Sequence, residues 1–376
     1  MYQNFKIKCF LCNDFKYNNT VCDHNLDFGH LDYEYNIKNK KKIRTFLLKK
    51  NIINLSEVLP FKKKYNYQLP QIAIKNYNKI DKQLKNKIYF VIDYFNFSGS
   101  FKDRASLISC LYAKENGYKE ITLASSGNAA ISTATFANML DLKTSVFLPS
   151  FVSEIKKKTL KDLGCKIFEF NDSYSYTVKQ SILYSKKFNT FNRSSAINPI
   201  SRDGKKLFSY EILNDLKSKN CDYIMVPVGD ANIISGICKG LIELKSLNFL
   251  SKIPKLIGIQ SSQSLSFYRQ FKANSPFPIK SSADSKCDSI NVDQPLDAFY
   301  AYKYLKKIKG DMLKVSDNSI LSSKKYLLKN LGINCCLASA STFASLKVFI
   351  NKNKIKNKNF FLVLTGSGFK DSMQNK

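Results

Sequence analysis

Lys87-Ile-Tyr-Phe-Val-Ile-Asp93, followed by Asn96-Phe-Ser-Gly-Ser-Phe-Lys-Asp-Arg104, is the stretch from which the fold can be read. The first segment is an apolar run rich in β-branched and aromatic residues, which reads as a buried strand. The second is small and flexible up to Lys102, and a helical spacing then runs through Leu107, Leu111 and Tyr112. The same sequence of events recurs downstream. Glu120-Ile-Thr-Leu-Ala124 is a short strand that runs through Ser125-Ser-Gly-Asn128 into a small-residue helix, Ala129 to Leu140. Strand Thr144 to Pro149 precedes a charged helix, Glu154 to Leu163, with Gly164 as its cap, and Lys166 to Phe170 is a further strand. Such alternation predicts a parallel sheet covered by helices.

Beyond residue 190 the rhythm resumes. Tyr223-Ile-Met-Val-Pro-Val228 reads as a strand, and Gly229 opens the turn into a helix from Ile234 to Leu244. Lys255 to Ile259 and Phe360 to Leu364 are two more buried strands.

Ligands of open α/β sheets bind at the carboxyl ends of strands, so the strand-to-helix junctions are the candidate sites. At the first, small residues precede Lys102 at a helix start, where partial desolvation turns a lysine into a usable nucleophile. In so lysine-rich a chain a surface lysine is the competing reading. At the second, Ser125, Ser126, Gly127 and Asn128 offer amides and hydroxyls suited to a carboxylate; a capped turn would look the same. At the third, Gly229 to Ile233 precede a helix and suit a phosphate, on the weaker evidence of one glycine.

The order of these segments carries more than any one of them. Ser98-Gly-Ser-Phe-Lys-Asp-Arg104, Ser125-Ser-Gly-Asn-Ala-Ala130, Val226-Pro-Val-Gly229 and Leu364-Thr-Gly-Ser-Gly-Phe-Lys-Asp371 together resemble the threonine synthase family. So do Asn198-Pro199 through Gly204-Lys-Lys206 to Glu211-Ile212, and Val315-Ser-Asp317 leading into Ala338-Ser-Ala340. The resemblance spans nearly the whole chain. It implies an α/β fold of the fold type II pyridoxal-phosphate enzymes, similar to the tryptophan synthase β chain, with two open twisted domains and the cofactor between them. A zinc-ribbon-like module is expected over 1–35, the large cofactor domain over 36–90 and 189–376, and the small domain over 91–188.

By the same resemblance, Lys102 holds pyridoxal phosphate as a Schiff base and later moves protons on the substrate. Asn128 hydrogen-bonds the phenolic oxygen, Thr365 faces the pyridine nitrogen, and Gly229, Asp230, Ala231, Asn232 and Ile233 take the phosphate. Ser125, Ser126 and Gly127 receive the substrate carboxylate. The implied reaction converts O-phospho-L-homoserine and water to L-threonine and phosphate. Another fold type II enzyme (cysteate synthase, threonine dehydratase or cysteine synthase) and a non-catalytic relative are the alternatives.

Several positions depart from the family's pattern. Asp230 puts a negative charge in the phosphate loop, and Asn232 and Ile233 add bulk where backbone must approach. The arginine for a substrate phosphate is expected at Ser201, whereas the chain has Arg202, with Arg193 as a second candidate. Cys336-Leu-Ala-Ser-Ala340 stands where Glu-Pro-Ala-Ser-Ala is expected, and Ala129 replaces a hydroxyl.

A formal net charge of +31 first suggests nucleic-acid binding. Only five of the sixty basic residues are arginines, however, and the lysines are spread along the chain, which favours a solvated surface. A small anionic amino-acid substrate is expected instead, with no nucleic-acid or membrane partner, in a monomer or homodimer. The N-terminal residues resemble neither a secretory signal nor a transit peptide, so the cytoplasm is expected. Ten cysteines in such a chain do not suggest a disulfide scaffold. Cys9-Phe-Leu-Cys12 has zinc-knuckle spacing, with Cys22 and His24 as the remaining ligands; the missing second Cys-x-x-Cys pair favours a knuckle without zinc.

Overall fold

The apolar runs become strands at the expected places in a computed structural model of the protein. It describes residues 5–12, 15–16, 30–37, 41, 43, 52–68, 70–125, 127–150, 152, 154–172, 174–194 and 197–369. By internal contacts the chain divides into Met1–Leu69 with Lys102–Lys205, and Pro70–Phe101 with Lys206–Lys376.

The second unit is built on a six-stranded sheet. Its strands lie in the order Asp311–Val315, Lys255–Ser261, Tyr223–Pro227, Asn359–Leu364, Lys87–Ile92 and Ala73–Asn76. All neighbours are parallel except the edge strand Ala73–Asn76, which runs antiparallel. Parallel strands covered on both faces must be apolar on both, and Phe90, Val91 and Ile92 are buried in succession. Helix Leu337–Lys352 covers one face through Leu346, Phe349 and Ile350, against Phe360 and Tyr223. The rings of Tyr223 and Phe360 stack at 4.6 Å.

In the first unit, strands Lys166–Phe170, Lys143–Pro149, Glu120–Ala124 and Phe191–Asn192 form a four-stranded, wholly parallel sheet. Helix Asn128–Met139 packs closely on it because Ala130 and Ala134 leave no bulk at the contact. Helix Glu154–Asp162 is followed by Gly164 at φ 75°, the left-handed residue that ends it.

The N-terminal strands Phe5–Cys9, Phe15–Lys16 and Leu31–Tyr35 form an antiparallel sheet tied to the same unit by polar groups. Arg202 donates to Asp32 at 2.7 Å and to the Leu31 carbonyl at 2.8 Å, and Tyr35 donates to Asp203. Cys9 is buried and Cys12 exposed, while Cys22 and His24 lie outside the described residues. Among the described residues, no three His, Cys, Asp or Glu side chains are grouped to hold a metal. No described helix is long and apolar enough to cross a membrane.

Candidate active site

The small residues before Lys102 have a structural reason. Gly99 takes φ 67°, a left-handed conformation that a side chain disfavours, so the chain can turn sharply after Asn96. The Asn96 amide bridges the turn, donating to the Ser100 carbonyl and accepting from its N–H, both at 2.9 Å. The loop is stitched to the end of strand Asn359–Leu364: Phe101 N–H donates to the Thr365 carbonyl at 2.9 Å, and Ser367 N–H to the Gly99 carbonyl at 3.2 Å. The residue preceding Lys102 is thereby fixed on the strand end that carries Thr365.

Lys102 itself has helical backbone, φ −65° and ψ −19°, and stands immediately before helix Asp103–Glu115. Its side chain is half-buried. The next residue, Asp103, accepts from Ser132 Oγ at 2.7 Å, which locks the first turn after the lysine onto helix Asn128–Met139. Ser106 and Thr133 hydroxyls, 3.3 Å apart, continue that seam, and Arg193 donates to Ser106 at 3.3 Å. Burial pushes the nearby Cys110 thiol up to about 12, although Arg193 pulls it down, so it remains a neutral packing group.

Gly127 and Asn128 form the start of helix Asn128–Met139, and no described side chain caps this end. A Cβ added at Gly127 would meet nothing within 4 Å, so the backbone here faces open space. Ser125 is half-buried and its hydroxyl accepts the Gly127 N–H at 3.4 Å, while Ser126 lies outside the described residues.

The loop after strand Tyr223–Pro227 is finished differently. A Cβ at Gly229 would stand 3.0 Å from the Ser289 carbonyl oxygen and 3.1 Å from Ile290 Cα, so no larger residue fits without movement. Ala231 takes φ 64°, and this reversal lets Asp230 turn back on the helix Asn232–Ser246. Asp230 Oδ1 accepts the Asn232 N–H at 3.2 Å. The Asn232 amide is fully buried and donates to Asp297 at 2.9 Å, where Ser235 Oγ also donates at 2.5 Å. Asp297 N–H returns to the Asp230 carbonyl at 3.1 Å, closing the loop.

Thr365 is held by a residue that sequence patterns did not single out for a role. Ser339 Oγ accepts the N–H of Thr365 at 2.8 Å and of Gly366 at 3.1 Å, and lies 3.4 Å from Thr365 Oγ1. Ser339 is fully buried in the first turn of helix Leu337–Lys352, whose Cys336 cap accepts the Ser339 N–H at 3.5 Å. Cys336 stands where the family pattern has glutamate, and it serves here as a helix cap. Asp297 was likewise unmarked; its only sequence signal is an acidic residue just before helix Ala298–Lys307.

Arg202, expected near a substrate phosphate, is 1% exposed and paired with Asp32. Its guanidinium fastens the N-terminal sheet. Arg193 is also buried.

The family model for pyridoxal-phosphate dependent enzymes matches residues 70–366. The chain belongs to that family. Among curated relatives it is similar to a threonine synthase of Methanocaldococcus jannaschii, 28% identical over 78% of this chain and 73% of the relative. A threonine synthase of Methanosarcina acetivorans is 27% identical over 76% of this chain and 71% of its own. Among solved structures, threonine deaminase isoform 2 of Solanum lycopersicum has a TM-score of 0.70 at 18% identity, covering 81% of this chain and 82% of that one. Maize serine racemase has a TM-score of 0.68 at 17% identity, with 81% and 93% covered. Together with the family match, these two likenesses show the fold type II α/β architecture.

The residues present fit the family's cofactor at most points. The lysine begins a helix after a loop anchored on the Thr365 strand end, the Gly127 backbone is open, and Ser339 fixes Thr365. At the phosphate loop, backbone amides start a fifteen-residue helix, with one of them engaged by Asp230.

Proposed function

We propose that the protein is a threonine synthase, converting O-phospho-L-homoserine and water to L-threonine and phosphate. The observation that carries this reading is the placement of Lys102. It directly follows Phe101, pinned to the Thr365 carbonyl, and directly precedes the buried Asp103–Ser132 lock. A lysine fixed on both sides in this way is suited to proton transfer at a defined point. The order of the surrounding segments and the threonine synthases among its relatives support the choice of reaction.

Pyridoxal phosphate, when bound, supplies the electron sink that makes the substrate's α and β protons removable. Lys102 would hold its aldehyde carbon, and its amine would carry protons from and to the substrate carbons. Ser125, Ser126 and the Gly127 amide would bind the substrate carboxylate at the uncapped helix end. Asn128 would orient the ring, and Thr365, held by Ser339, would present a neutral hydroxyl to the pyridine nitrogen. Gly229 to Ile233 would take the cofactor's phosphate.

A second reading, a dehydratase acting on a hydroxy amino acid, is favoured by one observation: Arg202 is committed to Asp32. Supplying the purified protein with pyridoxal phosphate and each substrate separates the two. Phosphate and threonine released from O-phospho-L-homoserine support the synthase. Conversion of threonine to 2-oxobutanoate, without phosphate release from O-phospho-L-homoserine, would replace it with the dehydratase.

A further inference from the structure

The loop Gly229–Asn232 has an anion of its own. Asp230 Oδ1 holds the Asn232 N–H, the amide that opens helix Asn232–Ser246 and points at any ligand of that helix end. The arrangement is built rather than incidental. Ala231 accepts a left-handed backbone to bring Asp230 round, and Asp230's carbonyl is fixed by Asp297 N–H at 3.1 Å. Asp297 in turn secures Asn232 and Ser235 by their side chains. A second carboxylate therefore sits beside the first, and one N–H of the helix end has a carboxylate acceptor without a ligand.

We propose that Asp230 is a specificity-determining residue for the cofactor: its carboxylate competes with the cofactor's phosphate for the Asn232 amide, so binding proceeds by exchanging one anion for the other. The inference rests on pyridoxal phosphate being the cofactor. It goes further in assigning the loop a self-ligand that weakens affinity for the phosphate end specifically. Leaving Asp230 charged beside an arriving phosphate costs binding through like-charge repulsion, and displacing it breaks its bond to the Asn232 N–H.

Asp230→Asn removes the charge while keeping an oxygen able to accept the Asn232 N–H, so the loop retains its shape. The test titrates wild-type protein and this variant, each freed of cofactor, with pyridoxal phosphate and separately with pyridoxal, which lacks the phosphate. Binding is followed by absorbance. The expected result is a dissociation constant for pyridoxal phosphate lowered by about tenfold or more in the variant, with that for pyridoxal unchanged. Equal pyridoxal-phosphate affinity in both proteins, or the same gain for both ligands, overturns the role of Asp230 and leaves the cofactor reading standing. Binding of neither ligand by either protein overturns the cofactor reading and this proposal together.

Discussion

At Gly127 an added Cβ would meet nothing within 4 Å, whereas at Gly229 it would press on the Ser289 carbonyl oxygen at 3.0 Å. Both glycines close a strand-to-helix junction of a parallel sheet, and both precede a helix long enough to have a useful dipole. At the first helix end the Gly127 N–H is held by the neutral Ser125 hydroxyl, and the glycine faces open space. At the second, Gly229 is wrapped by its neighbours and the Asn232 N–H is held by the Asp230 carboxylate. Glycine is thus present for two reasons, access at one junction and close packing at the other. The difference lies in charge as well as space, since a neutral hydroxyl holds the amide at one junction and a carboxylate at the other.

Substitutions that separate access from packing can break this contrast. The largest effect is expected from Asp297→Ala, which strips the buried Asn232 amide and Ser235 hydroxyl of a charged acceptor. Unfolding in urea should show a loss of about 3 kcal/mol or more. A smaller loss, about 1–3 kcal/mol by the same measurement, is expected for Gly229→Ala, because backbone atoms of Ser289 and Ile290 must move. Gly127→Ala should change stability by no more than about 0.5 kcal/mol. It should instead raise the KM for the amino-acid substrate, since the new methyl stands where the carboxylate would approach. If Gly127→Ala and Gly229→Ala destabilise equally, the distinction between an open and a packed junction is lost.

Much of the fold was legible because strands buried on both faces leave continuous apolar runs. Lys87–Ile92, Glu120–Ala124 and Asn359–Leu364 are examples in which sequence boundaries and observed strands agree to within a residue. The candidate site was legible where small residues cluster, since Ser98-Gly-Ser100 must permit the φ of 67° at Gly99. Other features left no such mark. Nothing in Asp230-Ala-Asn232 announces that an alanine adopts φ 64°, and without that reversal the Asp230 carboxylate would not reach the helix end. The Asp32–Arg202 pair joins residues 170 positions apart, so a one-residue offset from the family pattern gave no hint of its partner. Ser339 was visible only as part of Ala338-Ser-Ala340, because a hydroxyl serving two backbone amides of a distant strand end has no local sequence signal.

On the proposed reading, Lys102 is the lysine that would carry the cofactor. Borohydride reduction of the protein in the presence of pyridoxal phosphate, followed by proteolysis and mass spectrometry, addresses it directly. The reduced pyridoxyl mass is expected on the peptide containing Lys102, with no attachment at any defined site in Lys102→Ala, whose turnover should fall by roughly a hundredfold to ten-thousandfold. Stoichiometric attachment to a different lysine, or equal trapping in the Lys102→Ala variant, would assign the cofactor to another residue.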